Sequence, residues 1–81
     1  HIFSYIELDE KHAIIEVAVP DNWQGHSIGE LDIRRKYGVN ILGVKRSDKT
    51  DVNVSSETML DSSVRLLVLG ENQLLKKHFH L

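Results

Sequence analysis

The chain has 81 residues, of which 41% are apolar and 27% are charged, a size that suits one small globular domain and excludes two independent cores. It contains no cysteine, which excludes a disulfide framework, a thiolate zinc site and a cysteine nucleophile and favours the cytosol. The longest unbroken apolar run, residues 66–69, is far shorter than the roughly 20 residues of a membrane-spanning helix, so we expect a soluble protein.

The first two predicted elements are strands joined by a polar turn. Residues 5–8 form a short apolar stretch that stops at the polar residues 9–12. Across residues 13–19 apolar side chains recur at every second position, which predicts a strand with one buried face. The residues on that face are Ile15, Val17 and Val19. Pro20 ends the strand, because proline cannot donate a hydrogen bond to a neighbouring strand.

A helix is predicted after a loop that carries Trp23. Ser27 and Glu30 have the spacing of a capping box, in which the serine hydroxyl accepts from one helix amide and the carboxylate from another. Three cations at residues 34–36 suit the last turn, where they oppose the negative end of the helix dipole, and Gly38 suits a left-handed cap. We expect Trp23 to cover the edge of a small core, with stacking on a base as the alternative.

A hairpin is predicted after this helix. Residues 40–46 read as a strand with Leu42 and Val44 on one face. The four polar residues that follow form the turn, and the valines at positions 52 and 54 mark the return strand.

The last strand is predicted at the centre of the sheet. In residues 64–69, the apolar Val64, Leu66 and Val68 alternate with Arg65, Leu67 and Leu69. This pattern is apolar enough on both faces to predict a central strand, which ends at Gly70. Glu71 or Asn72 can cap a final short helix over residues 73–80. The predicted inward stripe of this helix consists of Leu74, Leu75 and His78.

The order of these elements predicts the fold class. Strands joined as hairpins and interrupted by two helices indicate an α+β domain with a small mixed β-sheet. The sequence contains no internal repeat and no low-complexity segment. We therefore expect residues 1–81 to form a single domain.

The net charge of -2 conceals an asymmetry, because residues 34–49 hold six cations against one acid and carry +5, while the other residues carry -7. A local positive field of this kind can attract a small anion. It lacks the uniform basic face that duplex nucleic acid requires, so we expect no DNA or RNA partner. A solvated strand end beside a helix terminus is the alternative interpretation.

The sequence offers little for catalysis or metal binding. Histidines stand at positions 1, 12, 26, 78 and 80, but none belongs to a recognisable nucleophile or acid–base motif. His78 and His80 would point about 200° apart on a helix and would supply only half of a structural metal site. The glycines match neither the dinucleotide fingerprint nor the phosphate loop. We therefore predict that the protein is not an enzyme and has no metal and no cofactor.

Residues 31–41 carry the most specific pattern in the chain. Their sequence, L-D-I-R-R-K-Y-G-V-N-I, resembles the L-D-I-R-x-x-Y-G-I-N-I segment of the C-terminal (TrkA-C) domain of RCK-type bacterial potassium-transport regulators, closest to the regulatory subunits of Ktr uptake systems. The likeness extends over nearly the whole chain, including residues 5–8, 25–28, 44–46 and 67–70. The chain departs from that family at Ser56, where relatives have a proline, and at residues 61–63, where relatives have a Gly-Asp turn.

The resemblance implies a symmetric homodimer that binds cyclic di-AMP at the dimer interface. Matched by motif position, Arg34 would pair with a phosphate, and Asn40 and the backbone at Ile41 would bond the phosphate or the base edge. Ile28, Ile33 and Ile41 would flank the adenines.

The resemblance also implies a place in the cell. The domain would be the C-terminal fragment of a longer, cytoplasmic protein at the inner face of the membrane, acting on a membrane potassium transporter subunit. Two alternatives stay open: a purely structural dimerisation domain that binds nothing, and a regulatory domain of a cation/proton antiporter.

Overall fold

The computed structural model describes residues 2–81; His1, one of the five histidines considered for acid–base chemistry, lies outside them. The elements in chain order are β1 Ile2–Glu7, β2 His12–Ala18, a 3-10 turn Asp21–Trp23, β3 His26–Ser27, α1 Ile28–Leu31, α2 Ile33–Tyr37, β4 Asn40–Arg46, β5 Lys49–Asp51, β6 Met59–Leu60, β7 Val64–Glu71 and α3 Asn72–Phe79. No helix within residues 2–81 is long and apolar enough to cross a membrane.

Five strands form the main sheet in the order β1-β2-β7-β4-β5, and β3 pairs with β6 separately. The central position predicted for the last strand is confirmed, since β7 pairs with β2 on one side and β4 on the other. The α+β class, with a small sheet and helices, is also confirmed. Each strand pairing that the structure describes is antiparallel, which refines the expected mixed sheet.

The core lies on one face of the sheet, and its residues alternate along β2 and β7 as the period-two pattern predicts. Val17 on β2 and Leu66 on β7 pair directly, and both are buried. Trp23 is 1% exposed, with its ring 4.9 Å from that of Tyr37 and 5.4 Å from that of Phe79. Trp23 is therefore a core residue, as expected, and the base-stacking alternative is wrong.

The helix predicted from Ser27 to Gly38 is interrupted. Its capping box is confirmed, because the Glu30 amide donates to Ser27 Oγ and the Ser27 amide donates to Glu30 Oε1. Asp32, however, adopts a left-handed conformation (φ 50°, ψ 50°) and separates α1 from α2. Aspartate tolerates this conformation better than most residues.

The predicted hairpin exists, but its turn is shorter than expected. Arg46 pairs with Lys49, so the turn has two residues and the return strand is β5, which ends before the valines at positions 52 and 54. Leu42 and Val44 do not share a buried face, since Leu42 is 37% exposed and Val44 is 8% exposed. The register of β4 shifts beside Leu42, and a bulge of this kind reverses the faces that alternation assigns.

The end of the chain also differs from the prediction in detail. β7 continues through Gly70 to Glu71, and α3 buries Leu75 and Phe79. Leu74 and His78, predicted as part of the inward stripe, are only partly buried. The stripe is displaced because Phe79 packs against the Trp23 ring, a contact that the pattern within the helix cannot reveal.

His78 lies edge-on against Tyr37, with ring centroids 4.9 Å apart. Burial lowers the pKa of His78 below the ordinary value of about 6.5, and the positive charge of Lys77 adds to the effect. The folded state therefore binds this proton less readily than the unfolded state. We expect stability to be highest above about pH 6.5 and to fall as the pH drops through that value towards the folded pKa.

Urea unfolding of the wild type and of His78→Gln, measured on both sides of about pH 6.5, checks this expectation. On acidification, the free energy of unfolding should decrease more in the wild type than in His78→Gln. Equal losses in the two proteins would contradict it.

Candidate ligand-binding site

The five residues selected from the sequence lie together in the wall of one open cavity of about 360 Å³. The cavity is bounded by α1, α2, the start of β4 and a loop segment on the opposite side. Its lining residues are Ile28, Gly29, Asp32, Ile33, Arg34, Val39, Asn40, Ile41, Val54, Ser55 and Ser56.

The loop segment, residues 54–56, is attached to α1 through the backbone. The amide of Gly29 donates to the carbonyl oxygen of Ser56 at 2.8 Å, and the amide of Ile28 donates to that of Thr58 at 3.0 Å. A Cβ atom on Gly29 would stand 2.9 Å from both the Cβ and the carbonyl oxygen of Ser56. Glycine is therefore needed at position 29 for the two walls to approach so closely.

Ser56 lies in this wall at the position where the resemblance implies a proline. A serine retains the backbone amide that proline lacks and leaves the preceding backbone less restricted. The departure from the family pattern therefore falls directly on the cavity and leaves the short Gly29–Ser56 contact in place.

The apolar part of the cavity is formed by three isoleucines. Ile33 is 3% exposed and belongs to the core, whereas Ile28 and Ile41 are half-buried and retain exposed surface. Partly exposed aliphatic side chains of this kind gain from covering a flat apolar ring, because the contact removes both surfaces from water.

The polar part is formed by Arg34 and Asn40. Arg34 Nε donates to Asn40 Oδ1 at 2.9 Å. Gly38, with φ 71°, ends α2 through a hydrogen bond from its amide to the carbonyl of Arg34. This left-handed turn brings the start of β4 back beside the helix, so residues six positions apart meet across the cavity wall.

Asp32 introduces a negative charge into the same wall, and its carboxylate is paired with Arg35 Nε. Asp32 was not among the residues predicted for the site, although it stands between Leu31 and Ile33 within the motif that predicted the others. Val54 and Ser55 were also missed as lining residues, and no local pattern could reveal them, because their segment reaches the cavity through the long-range backbone contacts of Ser56 and Thr58 with α1. Ser56 stood out in the sequence by its departure from the family pattern.

Two cations of the basic window at residues 34–49 make contacts away from the cavity. Arg46 donates to Ser63 Oγ at 2.7 Å, and Lys45 lies 3.8 Å from the carboxylate of Glu16 on β2. Of the six cations in the window, Arg34 is the one that lines the cavity described here. The positive charge available to a ligand in this cavity is therefore one fixed guanidinium group per chain.

Comparison with known proteins matches residues 12–79 of the chain to the TrkA-C domain family. Ktr system potassium uptake protein C of Bacillus subtilis (strain 168) is 31% identical over 70 residues, which are 86% of this chain and 32% of that protein. The K(+)/H(+) antiporter subunit KhtT of the same organism is 30% identical over 57 residues, 69% of this chain and 34% of that protein. The chain spans about a third of the length of these relatives.

Solved structures share the fold. The RCK C domain of the potassium transport protein KtrA, in complex with cyclic diadenosine monophosphate, has a TM-score of 0.76 and 29% identity, covering 85% of this chain and 81% of that chain. BusR of S. agalactiae, in complex with promoter DNA, has a TM-score of 0.67, covering 88% of this chain and 36% of that chain. At 22% identity the likeness to BusR shows the fold alone.

Proposed function

The chain belongs to the TrkA-C domain family, and from that membership we propose that it is a regulatory domain of a potassium-uptake system that binds cyclic di-AMP between two copies of itself. In this role the domain acts by binding and needs neither a catalytic step nor a metal ion. Its transporter would be reached through the longer protein at the cytoplasmic face of the membrane.

The observation that carries the proposal is the single cavity that unites Arg34 and Asn40 with three isoleucines. An adenine ring suits the half-buried faces of Ile28 and Ile41, since both surfaces are apolar. A phosphate suits the guanidinium of Arg34, which offers planar pairs of N–H donors. The ligand in the complex of the KtrA domain, cyclic diadenosine monophosphate, has both groups.

A homodimer would complete this site. Cyclic di-AMP contains two equivalent adenosine phosphates, and a two-fold axis would give each phosphate its own Arg34. The chain also exposes large apolar side chains that a partner could cover, since apolar patches on small domains often mark interfaces. The exposed apolar residues of the first strand and its turn are Ile2, Phe3, Tyr5, Ile6 and Leu8.

Calorimetric titration with cyclic di-AMP tests the proposal, with cyclic di-GMP and linear AMP as controls. We expect saturable binding of one cyclic di-AMP per two chains, and a dimer by sedimentation. A dimer that binds none of the three nucleotides would favour the purely structural alternative. A compact monomer in the presence of ligand would contradict both.

The two curated relatives point to different transporters. Potassium uptake protein C matches 86% of the chain and the antiporter subunit matches 69%, at nearly equal identity. The wider match favours a potassium-uptake partner. A DNA partner is not part of the proposal, because four of the six cations of residues 34–49, Arg34, Arg35, Lys45 and Arg46, are engaged in separate contacts within the chain.

The ion pair between Arg35 and Asp32 leads to a prediction about Arg35. Removing Arg35 leaves the Asp32 carboxylate unpaired in the wall of a site for an anion. Exposed ion pairs contribute about 0.2–1 kcal/mol, so we expect Arg35→Ala to weaken cyclic di-AMP binding by about 1.4-fold to fivefold. The affinities of Arg35→Ala and of Arg35→Ala with Asp32→Asn, measured by calorimetry, check this.

The double substitution removes both charges and should restore the affinity to near that of the wild type. If Arg35→Ala binds as the wild type does, the Asp32 carboxylate does not act on the ligand.

A further inference from the structure

The contact between Arg34 and Asn40 assigns a role to Asn40 that goes beyond lining the cavity. Building on the proposed function, we propose that Asn40 is a positioning residue: its amide oxygen holds Arg34 in the phosphate-binding orientation before the ligand arrives. Asn40 then acts on the ligand chiefly through Arg34.

The chemistry of the two groups fixes the direction of this hydrogen bond. A guanidinium group has only donors, so the Asn40 atom that faces Arg34 Nε at 2.9 Å is the carbonyl oxygen. The amide nitrogen of Asn40 consequently points away from Arg34. One of the two lone pairs of the Asn40 oxygen is thus used by Arg34, and the side of Asn40 that faces away from Arg34 presents N–H donors.

The bond also joins a mobile group to a rigid one. Arg34 is an exposed residue on α2, a helix of only five residues. Asn40 begins β4 and pairs with Leu69 of the central strand β7. Fixing the Nε end of the guanidinium to the sheet limits the rotamers of Arg34, while both Nη groups stay available as donors to a phosphate.

The expected benefit is entropic. An arginine side chain loses considerable rotamer freedom when it is immobilised by a ligand. Restricting it beforehand should improve affinity by about threefold to tenfold per chain, and by about tenfold to a hundredfold for a ligand held by two chains. Asn40→Ala should therefore weaken cyclic di-AMP binding by about this factor and leave the fold unchanged.

The first measurement uses the protein without ligand. The Nε–H resonance of Arg34 should exchange slowly with water in the wild type and in Asn40→Asp, which keeps an acceptor oxygen, and rapidly in Asn40→Ala. Asn53→Ala is the matched control, because Asn53 is exposed and lies outside the cavity lining. If the Nε–H group of Arg34 exchanges with water as slowly in Asn40→Ala as in the wild type, the proposal is overturned.

The second measurement is a double-mutant cycle on cyclic di-AMP affinity, carried to millimolar ligand by NMR titration. If Asn40 acts through Arg34, Asn40→Ala should weaken binding in the wild type and have an effect of less than about twofold in the Arg34→Ala background. If Asn40→Ala weakens binding by the same factor in the wild type and in Arg34→Ala, the two residues act independently. That result would overturn the positioning role and leave Asn40 as a direct ligand contact.

The two measurements separate this inference from the proposed function on which it rests. A wild-type chain that binds no cyclic di-AMP overturns the proposed function, and the exchange rate of the Arg34 Nε–H group still decides whether Asn40 positions the guanidinium. Binding that survives in Arg34→Ala at wild-type affinity overturns the positioning role itself.

Discussion

Replacing Arg34 with alanine is expected to weaken cyclic di-AMP binding several hundredfold or more. Arg34 is the cation that lines the cavity, and a two-fold dimer would use it twice, so one substitution removes two phosphate contacts. A charge-assisted hydrogen bond contributes about 1.5–3 kcal/mol. Two such contributions correspond to more than two orders of magnitude in affinity, since each 1.4 kcal/mol is about tenfold. Calorimetric titration of the wild type and Arg34→Ala measures the difference.

Lys36→Ala is the matched control for this experiment. Lys36 is exposed, belongs to the same helix as Arg34 and does not line the cavity. Neighbouring Arg35 would be a poorer control, because it pairs with Asp32 in the cavity wall. We expect Lys36→Ala to bind nearly as the wild type does. Equal losses in the two variants would mean that binding depends on the general positive field and not on a fixed phosphate contact.

The largest effect on stability is expected for Trp23→Ala. Trp23 is almost completely buried and packs against both Tyr37 and Phe79, so it joins the loop before α1 to the helices on either side. Truncating a buried tryptophan or phenylalanine to alanine costs about 3–5 kcal/mol. Total stabilities of about 0.05–0.15 kcal/mol per residue are usual, which is about 4–12 kcal/mol for a chain of 81 residues, so this loss should remove about a quarter of the stability or more.

Urea unfolding followed by far-ultraviolet circular dichroism measures this effect, because Trp23 is the sole tryptophan and its fluorescence is lost in the variant. Trp23→Phe keeps an aromatic ring and should lose clearly less stability. A midpoint for Trp23→Ala within experimental error of the wild type would show that the aromatic cluster contributes little.

The parts of the fold that depend on local pattern could be predicted from the sequence. The nearly continuous apolar character of residues 64–69 indicated the central strand, which has hydrogen-bonded neighbours on both sides. The face that carries Arg65 is less buried than the opposite face. The capping box at Ser27 and Glu30 depends on groups three residues apart and was equally readable.

The differences arise where distant parts of the chain decide the outcome. The register shift beside Leu42 accompanies the close approach of Gly43 to β5, where an added Cβ would lie 2.8 Å from the carbonyl oxygen of Asp51. The burial of Phe79 depends on Trp23, which is more than fifty positions earlier in the sequence. Neither contact leaves a periodic trace in its own segment.

The candidate site also has one part that local sequence predicts and one part that depends on distant contacts. Arg34, Asn40 and Ile41 belong to one short sequence motif and could therefore be predicted together. The turn at Gly38 brings the start of β4 back beside α2, so these residues also meet in space. The opposite wall, formed by residues 54–56, reaches the cavity through backbone hydrogen bonds to α1. Backbone hydrogen bonds form whatever the side chains are, so the trace that this contact leaves in the sequence is Gly29, whose missing side chain lets Ser56 approach.

The central position of β7 has a consequence for synthesis on the ribosome. The pairs β1–β2 and β4–β5 are local hairpins, and each is complete soon after its second strand has been made. They join into one sheet only through β7, which is the next-to-last element of the chain. Isolated hairpins are marginally stable in water. A nascent chain that has not yet released residues 64–71 from the exit tunnel therefore carries two unconnected hairpins, and the domain must form in a late, cooperative step.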